Sequence, residues 1–316
     1  MIKPEISIVV PLYNEAKTFE FLIERLNNVK KNEDLSIEVV LVDDGSTDET
    51  TSLMQQIALL DAAYTSVFLS RNYGHQIALS AGLKEARATE AVFIIDGDLQ
   101  DPPELLSAFY KKMKEGYDIV YAVRKKRKEK FLKRILYYLF YRIQKLVVKI
   151  DIPLDSGDFS MLSRKVVDVL NQMPEESKYI RGQRAWIGLK QCGIEYERDE
   201  RKFGDSKYSF SMLLQLAYNG IFNFTELPIK LITRLGVLAI LISFLYFCLT
   251  LFKLLMYDDV PEGFTGLLFT IILFSGVQLI SIGILGQYLV RVFFQTKGRP
   301  LYIVKSKIAN KVHMDG

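Results

Sequence analysis

Residues 91–103 read AVFIIDGDLQDPP, an apolar run that ends at Asp96 and Asp98, with Asp101 before two prolines. Five consecutive apolar residues are typical of a strand that is buried on both faces of a sheet. Carboxylates are costly inside a core, so a pair at a strand's end belongs at the rim of the sheet or beside a partner. The segment therefore predicts a buried strand with a polar site at its carboxyl end.

The chain before this segment alternates strands with helices. Strands are predicted at 5–12, 36–42 and 66–69, and helices at 16–30, at 74–86 and through Leu53, Met54 and Ile57, the last capped by Ser46 or Thr47. This alternation predicts an α/β fold with a parallel sheet covered by helices. Ligands of such sheets bind outside the carboxyl ends of the strands. Three ends are polar, namely residues 13–15, Asp43 with Asp44, and Asp96 with Asp98.

The aspartate pair fits a site for a hard divalent cation better than a dinucleotide, P-loop or EF-hand motif. The sequence has neither a G-x-G-x-x-G nor a P-loop motif. An EF-hand loop beginning at Asp96 would have Ser107 at its twelfth position instead of glutamate. Mg²⁺ typically takes one or two carboxylates together with substrate phosphates. Asp96 and Asp98 are thus predicted to face a nucleotide diphosphate, with ordinary turn chemistry as the alternative.

The C-terminal third predicts two membrane spans. Residues 235–252 and 263–290 carry no charge, and each stretch is close to the roughly 20 residues that a spanning helix needs. The linker between them is acidic, whereas basic residues flank the pair on its outer sides. Basic flanks stay cytoplasmic, which predicts a multi-pass plasma-membrane protein with its catalytic domain and both termini in the cytoplasm. A buried helical hairpin of a soluble protein is the alternative.

A basic segment precedes these spans. Residues 124–149 contain eleven Lys and Arg residues against Glu129 alone, interleaved with apolar residues at helical spacing. The pattern is typical of a helix that lies in the headgroup plane of a membrane. A solvated helix packed on the domain is the main alternative, and the neighbouring spans argue against a nucleic-acid patch. The two cysteines, Cys192 and Cys248, have no disulfide or metal-ligand spacing, which suits a reducing compartment.

Five motifs together resemble family 2 glycosyltransferases. These are VPLYNE (10–15), VDDGSTD (42–48), RNYGH (71–75), DGDLQDPP (96–103) and RKFGDSKY (201–208). Across nearly the whole chain the sequence is similar to polyprenyl-phosphate glycosyltransferases, which include dolichol-phosphate mannose synthase-like enzymes. The spans, the basic segment and YIRGQRAWIG (179–188) favour the bactoprenol glucosyltransferases. Polymer synthases of the superfamily carry Q-x-x-R-W, whereas Gln183, Arg184 and Trp186 have the wrong spacing.

The resemblance implies a GT-A fold and an inverting transfer of a hexose, foremost glucose from UDP-glucose, to undecaprenyl phosphate with Mg²⁺ or Mn²⁺. The implied nucleotide-sugar ligands are Pro11, Tyr13, Glu15, Asp44, Asp96 and Gln100, and the implied metal ligands are Asp96, Asp98 and Gln100. The implied phosphate-binding residues, for acceptor or diphosphate, are Arg124, Arg201, Ser206 and Lys207, and the implied catalytic residues are Asp98 and Asp158.

Asp158 matches the aspartate assigned as catalytic base in bactoprenol glucosyltransferases. A phosphate monoester has its second pKa at about 6, so the acceptor needs little deprotonation at neutral pH. Asp158 therefore has two alternatives to a base, which are orienting a substrate and a turn or cap role within DIPLDSGD (151–158). For His75 a structural role is favoured over one near the donor.

The predicted layout has four parts. Residues 1–125 form the nucleotide-sugar and metal domain, 126–228 an acceptor-side segment, 229–292 the hairpin and 293–316 a basic tail. In the tail, RPLYIV (299–304) is expected to add an edge strand and the rest to be disordered. The motifs leave the sugar open among glucose, an aminoarabinose derivative, mannose and an N-acetylhexosamine. A non-catalytic nucleotide-binding membrane protein and a homo-oligomer also stay open, and no nucleic-acid partner is expected.

Overall fold

The computed structural model describes residues 3–124, 156–176, 178–197, 227–257 and 263–315. The chain divides into two compact units, one of Met1–Leu213 with Arg299–Gly316 and one of Leu214–Gly298. The basic segment after Arg124 and the predicted ligands Arg201, Ser206 and Lys207 lie outside the described residues. All other predicted site residues, from Pro11 to Arg124 and Asp158, are described.

The first unit is built on a mixed sheet whose described part has nine strands. They are β1 Ile6–Leu12, β2 Ile37–Asp43, β3 Tyr64–Leu69, β4 Ala91–Ile94, β5 Ile119–Arg124, β6 Ser156–Ser163, β7 Gln191–Tyr196, β8 Val304–Ala309 and β9 Val312–Asp315. Their order in the sheet is β7-β5-β6-β4-β1-β2-β3-β8-β9. The described helices are α1 Ala16–Asn32, α2 Thr50–Leu60, α3 His75–Glu85, α4 Leu106–Lys114 after a 3₁₀ turn at Pro103–Leu105, α5 Arg164–Gln172 and α6 Ile180–Ile187.

The parallel sheet predicted from the first 95 residues is confirmed for those strands, but the whole sheet is mixed. Strands β4, β1, β2 and β3 are parallel, with Val9 of β1 lying opposite Val40 on one side and Ile94 on the other. Beyond β4, strand β6 is antiparallel to both β4 and β5, and β8 is antiparallel to β3. Apolar periodicity reports burial and says nothing of strand direction, so the alternation in the first 95 residues could predict only the parallel part.

The strands are buried because helices cover both faces of the sheet. Alternating residues of β1 point to opposite sides: Ile8 and Val10 pack in the cluster with α1, whereas Val9 packs in the cluster with α3. Helix α1 contributes Phe19, Leu22, Leu26 and Val29, the apolar face expected from its helical spacing. This two-sided burial holds the carboxyl ends of β1, β2 and β4 side by side at one edge.

The expected cap of α2 is wrong. Its N-cap is Glu49, and the N–H of Thr50 donates instead to Asp48 Oδ1 at 3.0 Å. Ser46 and Thr47 lie earlier in the loop and bond to Asn14, through Asn14 N to Ser46 Oγ at 3.0 Å and Thr47 N to Asn14 Oδ1 at 2.8 Å. These hydroxyl residues join two loops of the site and do not start the helix.

The C-terminal tail completes the sheet. The strand predicted at 299–304 overlaps β8 only at Val304, and β8 lies between β3 and β9 instead of at the edge. The expectation that the rest of the tail is disordered is wrong, since those residues form most of β8 and all of β9. The N–H of Ser70 donates to Ile303 O at 2.9 Å, and Lys307 forms an ion pair with Glu85. Because Ile308 is buried in the core beside β3, this tail is an integral part of the first unit.

The second unit contains the long helices α7, Leu227–Tyr257, and α8, Phe264–Thr296. Within the described residues one stretch, Leu273–Thr296, is long and apolar enough to cross a membrane, and a shorter apolar stretch, Ile232–Tyr246, lies in α7. The structure thus supports one of the two predicted spans by length and composition.

Candidate active site

The loops that follow β1 and β2 are held together by Asn14 and Thr50. Asn14 adopts a positive φ of 53° and bonds to both Ser46 and Thr47, while the N–H of Glu15 donates to Thr50 Oγ1 at 2.9 Å. Pro11 is buried within β1, whereas Tyr13 is exposed and Glu15 partly exposed. Of these three predicted nucleoside ligands, Tyr13 and Glu15 therefore lie at the accessible rim, and Pro11 shapes the strand beneath them.

Both carboxylate oxygens of Asp44 accept hydrogen bonds from the loop that follows β3. Its two carboxylate oxygens accept the N–H groups of Tyr73 at 2.7 Å and Gly74 at 2.9 Å. Burial raises the pKa of Asp44, and these two donors oppose that shift. The adjacent Gly45 has a φ of 71°, and a Cβ there would lie 2.5 Å from the carbonyl carbon of Arg71. Asp44 therefore fixes the RNYG loop against the end of β2, a role that the sequence did not predict.

Asp96 and Asp98 follow β4 and are both partly exposed. The glycine between them packs against Leu12, since a Cβ at Gly97 would lie 2.3 Å from Leu12 Cδ2 and would force that side chain to move. The N–H of Gln100 donates to Asp98 Oδ1 at 3.2 Å, which places Gln100 in the same turn. Asp101 is buried and accepts the hydroxyl of Tyr196 at 2.8 Å, so it holds β7 to this turn.

The carboxylate pair suits a cation that takes its other ligands from a substrate. Among the described residues no three His, Cys, Asp or Glu side chains converge as a metal-binding group. Asp96 and Asp98 alone would leave most positions of an octahedral ion open. Mg²⁺ is commonly bound in this way, by one or two carboxylates together with substrate phosphates and water.

Asp158 lies within β6, which excludes the turn and cap alternatives. Its carboxylate is buried and accepts Gln76 Nε2 at Oδ2, at 2.8 Å. Arg181 Nε lies 3.2 Å from Oδ1, and His75 Nε2 lies 3.5 Å from Oδ2. Burial by itself would raise the pKa of Asp158, but Arg181, His75 and Arg184 outweigh it and hold that pKa far below its usual range. Asp158 is consequently an ionised carboxylate at any physiological pH.

His75 lies between Asp96, a predicted metal ligand, and Asp158, a predicted catalytic residue. Its Nε2 lies 3.5 Å from Asp96 Oδ1 and 3.5 Å from Asp158 Oδ2. Burial disfavours the imidazolium, but the hydrogen bond to Asp158 and the charges of both aspartates raise the pKa of His75 to about 9. The ring is therefore a cation at neutral pH. The structural role favoured for His75 stays a prediction, and the structure adds that its side chain lies between two carboxylates of the predicted site.

Three further residues of this cluster were not predicted: Gln76, Arg181 and Arg184. Gln76 Oε1 accepts the N–H of Ile180 at 2.9 Å. Arg184 is fully buried with its guanidinium 5.4 Å from the ring centre of Tyr121, and burial lowers its pKa to about 10 against the opposing charge of Asp158. Both arginines lie in YIRGQRAWIG (179–188), the stretch that favoured the bactoprenol glucosyltransferases, but that resemblance assigned neither of them to the site.

Arg124, predicted as a phosphate ligand, ends β5 beside this cluster. A Cβ on Gly157 would lie 3.4 Å from its guanidinium, so Arg124 adjoins the residue that precedes Asp158. The described site therefore brings Asp96, Asp98, Asp158 and Arg124 to one edge of the sheet, with His75 between two of the aspartates.

Residues 7–170 match the model of Glycosyl transferase family 2, which is more than half of the chain. The chain belongs to glycosyl transferase family 2. The resemblance inferred from the five motifs is thereby confirmed, and the protein is a glycosyltransferase. The mixed sheet described above is the GT-A glycosyltransferase fold expected of this family 2 member.

Relatives within family 2 match over almost their full length. A glycosyltransferase of Bacillus subtilis (strain 168), YkcC, is 41% identical over 308 residues, covering 96% of this chain and 95% of the relative. The bactoprenol glucosyl transferase of Shigella phage SfX is 34% identical over 304 residues, covering 96% and 99%. The mannosyltransferase PcManGT of Pyrobaculum calidifontis, solved with GDP-Man and Mn²⁺, gives a TM-score of 0.44 at 18% identity, covering 94% of this chain and 88% of that one.

Proposed function

We propose that this glycosyltransferase moves a hexose, glucose from UDP-glucose, onto undecaprenyl phosphate at the cytoplasmic face of the plasma membrane, with inversion at the anomeric carbon. The observation that carries the proposal is the single His75 side chain within 3.5 Å of both Asp96 and Asp158. Asp96 of the partly exposed pair and the buried, ionised Asp158 thus both lie beside the His75 imidazolium. The near-full-length similarity to bactoprenol glucosyl transferases supports the same substrates.

The donor would bind along the carboxyl ends of β1, β2 and β4. Tyr13 and Glu15 would line the nucleoside pocket above Pro11, and Asp44 would act by fixing the RNYG loop. Asp96 and Asp98, with Gln100 beside them, would hold Mg²⁺ or Mn²⁺. When bound, the cation would neutralise the charge of the departing diphosphate.

The acceptor phosphate would enter on the side of Asp158. At neutral pH this phosphate is largely a dianion, since its second pKa is about 6. One of its oxygens attacks the anomeric carbon, and the bond from that carbon to the diphosphate breaks. Asp158 takes no proton in this step, because its partners keep it ionised. Arg124, and beyond the described residues Arg201, Ser206 and Lys207, would bind phosphate groups during the transfer.

A membrane hairpin would place this chemistry at headgroup depth. In this proposal α7 and α8 both cross the membrane. The basic segment 124–149 would lie on the membrane surface, mostly within the acceptor-side segment of residues 126–228. The antiparallel pairing of β8 with β3 supports the hairpin, because the chain after α8 must return to the compartment of residues 1–124. Such a return requires an even number of crossings, which one span would not provide. Both termini would then be cytoplasmic.

The sugar is the least constrained part of the proposal. Asp96, Asp98 and the cationic cluster recognise diphosphate, metal and phosphate, so the same reaction with mannose, an N-acetylhexosamine or an aminoarabinose derivative is the alternative. A non-catalytic nucleotide-binding role would not explain why Asp158 is buried with His75 and Arg181 beside the predicted metal ligands. Assembly into a homo-oligomer stays a further proposal.

The test is transfer by the full chain in lipid. We would incubate it with undecaprenyl phosphate and a panel of labelled nucleotide sugars in Mg²⁺, Mn²⁺ or EDTA. We expect label from UDP-glucose to enter the lipid phase only with metal, and Asp98→Asn to abolish transfer while membrane insertion is unchanged. The exposed substitution Asp34→Asn is the control. Transfer that persists in EDTA would refute the metal assignment, and no transfer from any donor would refute the proposed donor and acceptor.

A further inference from the structure

We propose that Gln76 and Arg181 are positioning residues that hold the Asp158 carboxylate in one orientation and thereby tie helix α6 to the reaction centre. This inference rests on the proposed function, since it assigns how the site is kept in order for transfer. Neither residue belongs to the set predicted from the family motifs.

The Gln76 amide joins two elements that are distant in the sequence. Its Nε2 donates to Asp158 Oδ2 at 2.8 Å, and its Oε1 accepts the backbone N–H of Ile180 at 2.9 Å. Only this orientation satisfies both contacts, because the reversed amide would set donor against donor and acceptor against acceptor. Gln76 therefore fixes the start of α6 relative to β6 with a defined polarity.

Arg181 engages the other carboxylate oxygen from the same helix. Its Nε lies 3.2 Å from Asp158 Oδ1, and Ile180, the residue before it, is the one bonded to Gln76. The two oxygens of Asp158 are thus held separately, one from α3 and one from α6. The contact at Oδ2 is a hydrogen bond and the contact at Oδ1 is a buried ion pair, so a rotation of the carboxylate would break the first and weaken the second, which is costly in a buried position.

This fixed carboxylate sets the direction of the His75 ring. His75 Nε2 is 3.5 Å from Asp158 Oδ2, the same oxygen that Gln76 contacts, and 3.5 Å from Asp96 Oδ1. A turn of Asp158 would carry the imidazole away from Asp96. The order of contacts therefore runs from α6 through Arg181 and Gln76 to Asp158, then through His75 to Asp96. Such preorganisation of charges is the usual basis of electrostatic catalysis.

Gln76→Glu tests this with almost no change of shape. The new carboxylate keeps an oxygen for Ile180 N–H but sets its other oxygen 2.8 Å from Asp158 Oδ2, where Gln76 now donates. Two carboxylates so close repel each other, which raises the pKa of one of them, so the pair takes up a proton as the pH falls. The charged groups that face it are His75, Arg181 and Arg184. We expect kcat at pH 7.5 to fall about a hundredfold, as for loss of one preorganised contact, and to recover partly toward pH 6.

Arg181 is tested by a pair of substitutions. Arg181→Gln removes the cation, whereas Arg181→Lys keeps a positive charge near Asp158. We expect Arg181→Gln to lower kcat about a hundredfold with the donor KM nearly unchanged, and Arg181→Lys to restore most of it. Controls are Gln56→Glu on the exposed side of α2 and Arg164→Gln, which loses an exposed ion pair with Asp168 and a hydrogen bond to Ala86 O, both away from Asp158. Thermal midpoints of all variants are measured in parallel.

The outcomes separate this inference from the proposed function. Inactive wild-type protein would defeat the proposed function before any variant is made. Active wild type with Gln76→Glu equal to it in kcat and in pH profile would overturn the inference alone. So would a loss of activity explained entirely by a lower folded fraction with the pH profile unchanged, because that result assigns both residues to stability.

Discussion

Replacing Asp44 by asparagine separates a structural role from a ligand role. The family resemblance implies that Asp44 contacts the base of the nucleotide, whereas its two oxygens already accept the N–H groups of Tyr73 and Gly74 at 2.7 and 2.9 Å. In Asp44→Asn one oxygen becomes an NH₂ group that faces an N–H donor. The variant therefore loses one hydrogen bond and leaves the donor of the RNYG loop buried and unsatisfied.

The magnitude follows from the kind of bond. A hydrogen bond to a charged group contributes about 1.5–3 kcal/mol to stability. Burial opposes the ionised form of Asp44, which favours the lower part of that range. We expect a loss of about 2 kcal/mol in the free energy of unfolding of the first unit. For a unit of about 200 residues that corresponds to a decrease of about 4–8 °C in Tm.

The assay compares wild type, Asp44→Asn and Asp34→Asn in detergent. Asp34 is an exposed aspartate before β2, so its substitution changes the net charge equally and should leave Tm within a degree or so, as expected of a surface change. Binding of UDP is measured by calorimetry well below each Tm. A structural role predicts a lower Tm with a modest loss of UDP affinity. An unchanged Tm with UDP binding abolished would refute the structural reasoning and restore the direct contact with the base.

Two further substitutions test the frame of the site. Gly97→Ala would place a Cβ 2.3 Å from Leu12 Cδ2, and we expect overpacking to cost about 1–3 kcal/mol and to reduce Mn²⁺ binding. Adding Leu12→Val should recover part of both losses, and additive effects of the two changes would contradict the steric explanation. Deleting residues 299–316 removes β8 and exposes the edge of β3. Losing the burial of Ile308 alone should cost about 2–3 kcal/mol in unfolding by urea, and an unchanged midpoint would show that the tail strand is dispensable.

Much of the proposed donor site, at the carboxyl ends of β1, β2 and β4, could be predicted from the sequence because its signals are local. The apolar runs at 6–12, 37–43 and 91–94 are strands, and each ends where its polar residues begin. The Asp96–Asp98 pair lies at the expected strand end. Parallel strands bring their carboxyl ends to one edge, so adjacency within a motif predicts adjacency in space.

The network around Asp158 could not be read in this way. Asp158 and Arg181 are 23 residues apart, and Gln76 lies 82 residues before Asp158. Glutamine and arginine are common on helix surfaces, so neither carries a signal until the fold sets it against a buried carboxylate. The same holds for Asp44, whose motif predicted a ligand while its actual partners are backbone N–H groups of another loop.

The sequence by itself determined the family, the strands and helices of the first 95 residues, and the carboxylate pair at the end of β4. These depend on short-range periodicity and on residue types that are adjacent along the chain. The tertiary structure decided the antiparallel insertion of β6, the return of the tail as β8 and the cationic setting of Asp158. Those depend on strand direction and on contacts between residues far apart in sequence. The sequence specifies such contacts only through the free energy of the whole folded unit, to which many residues contribute together.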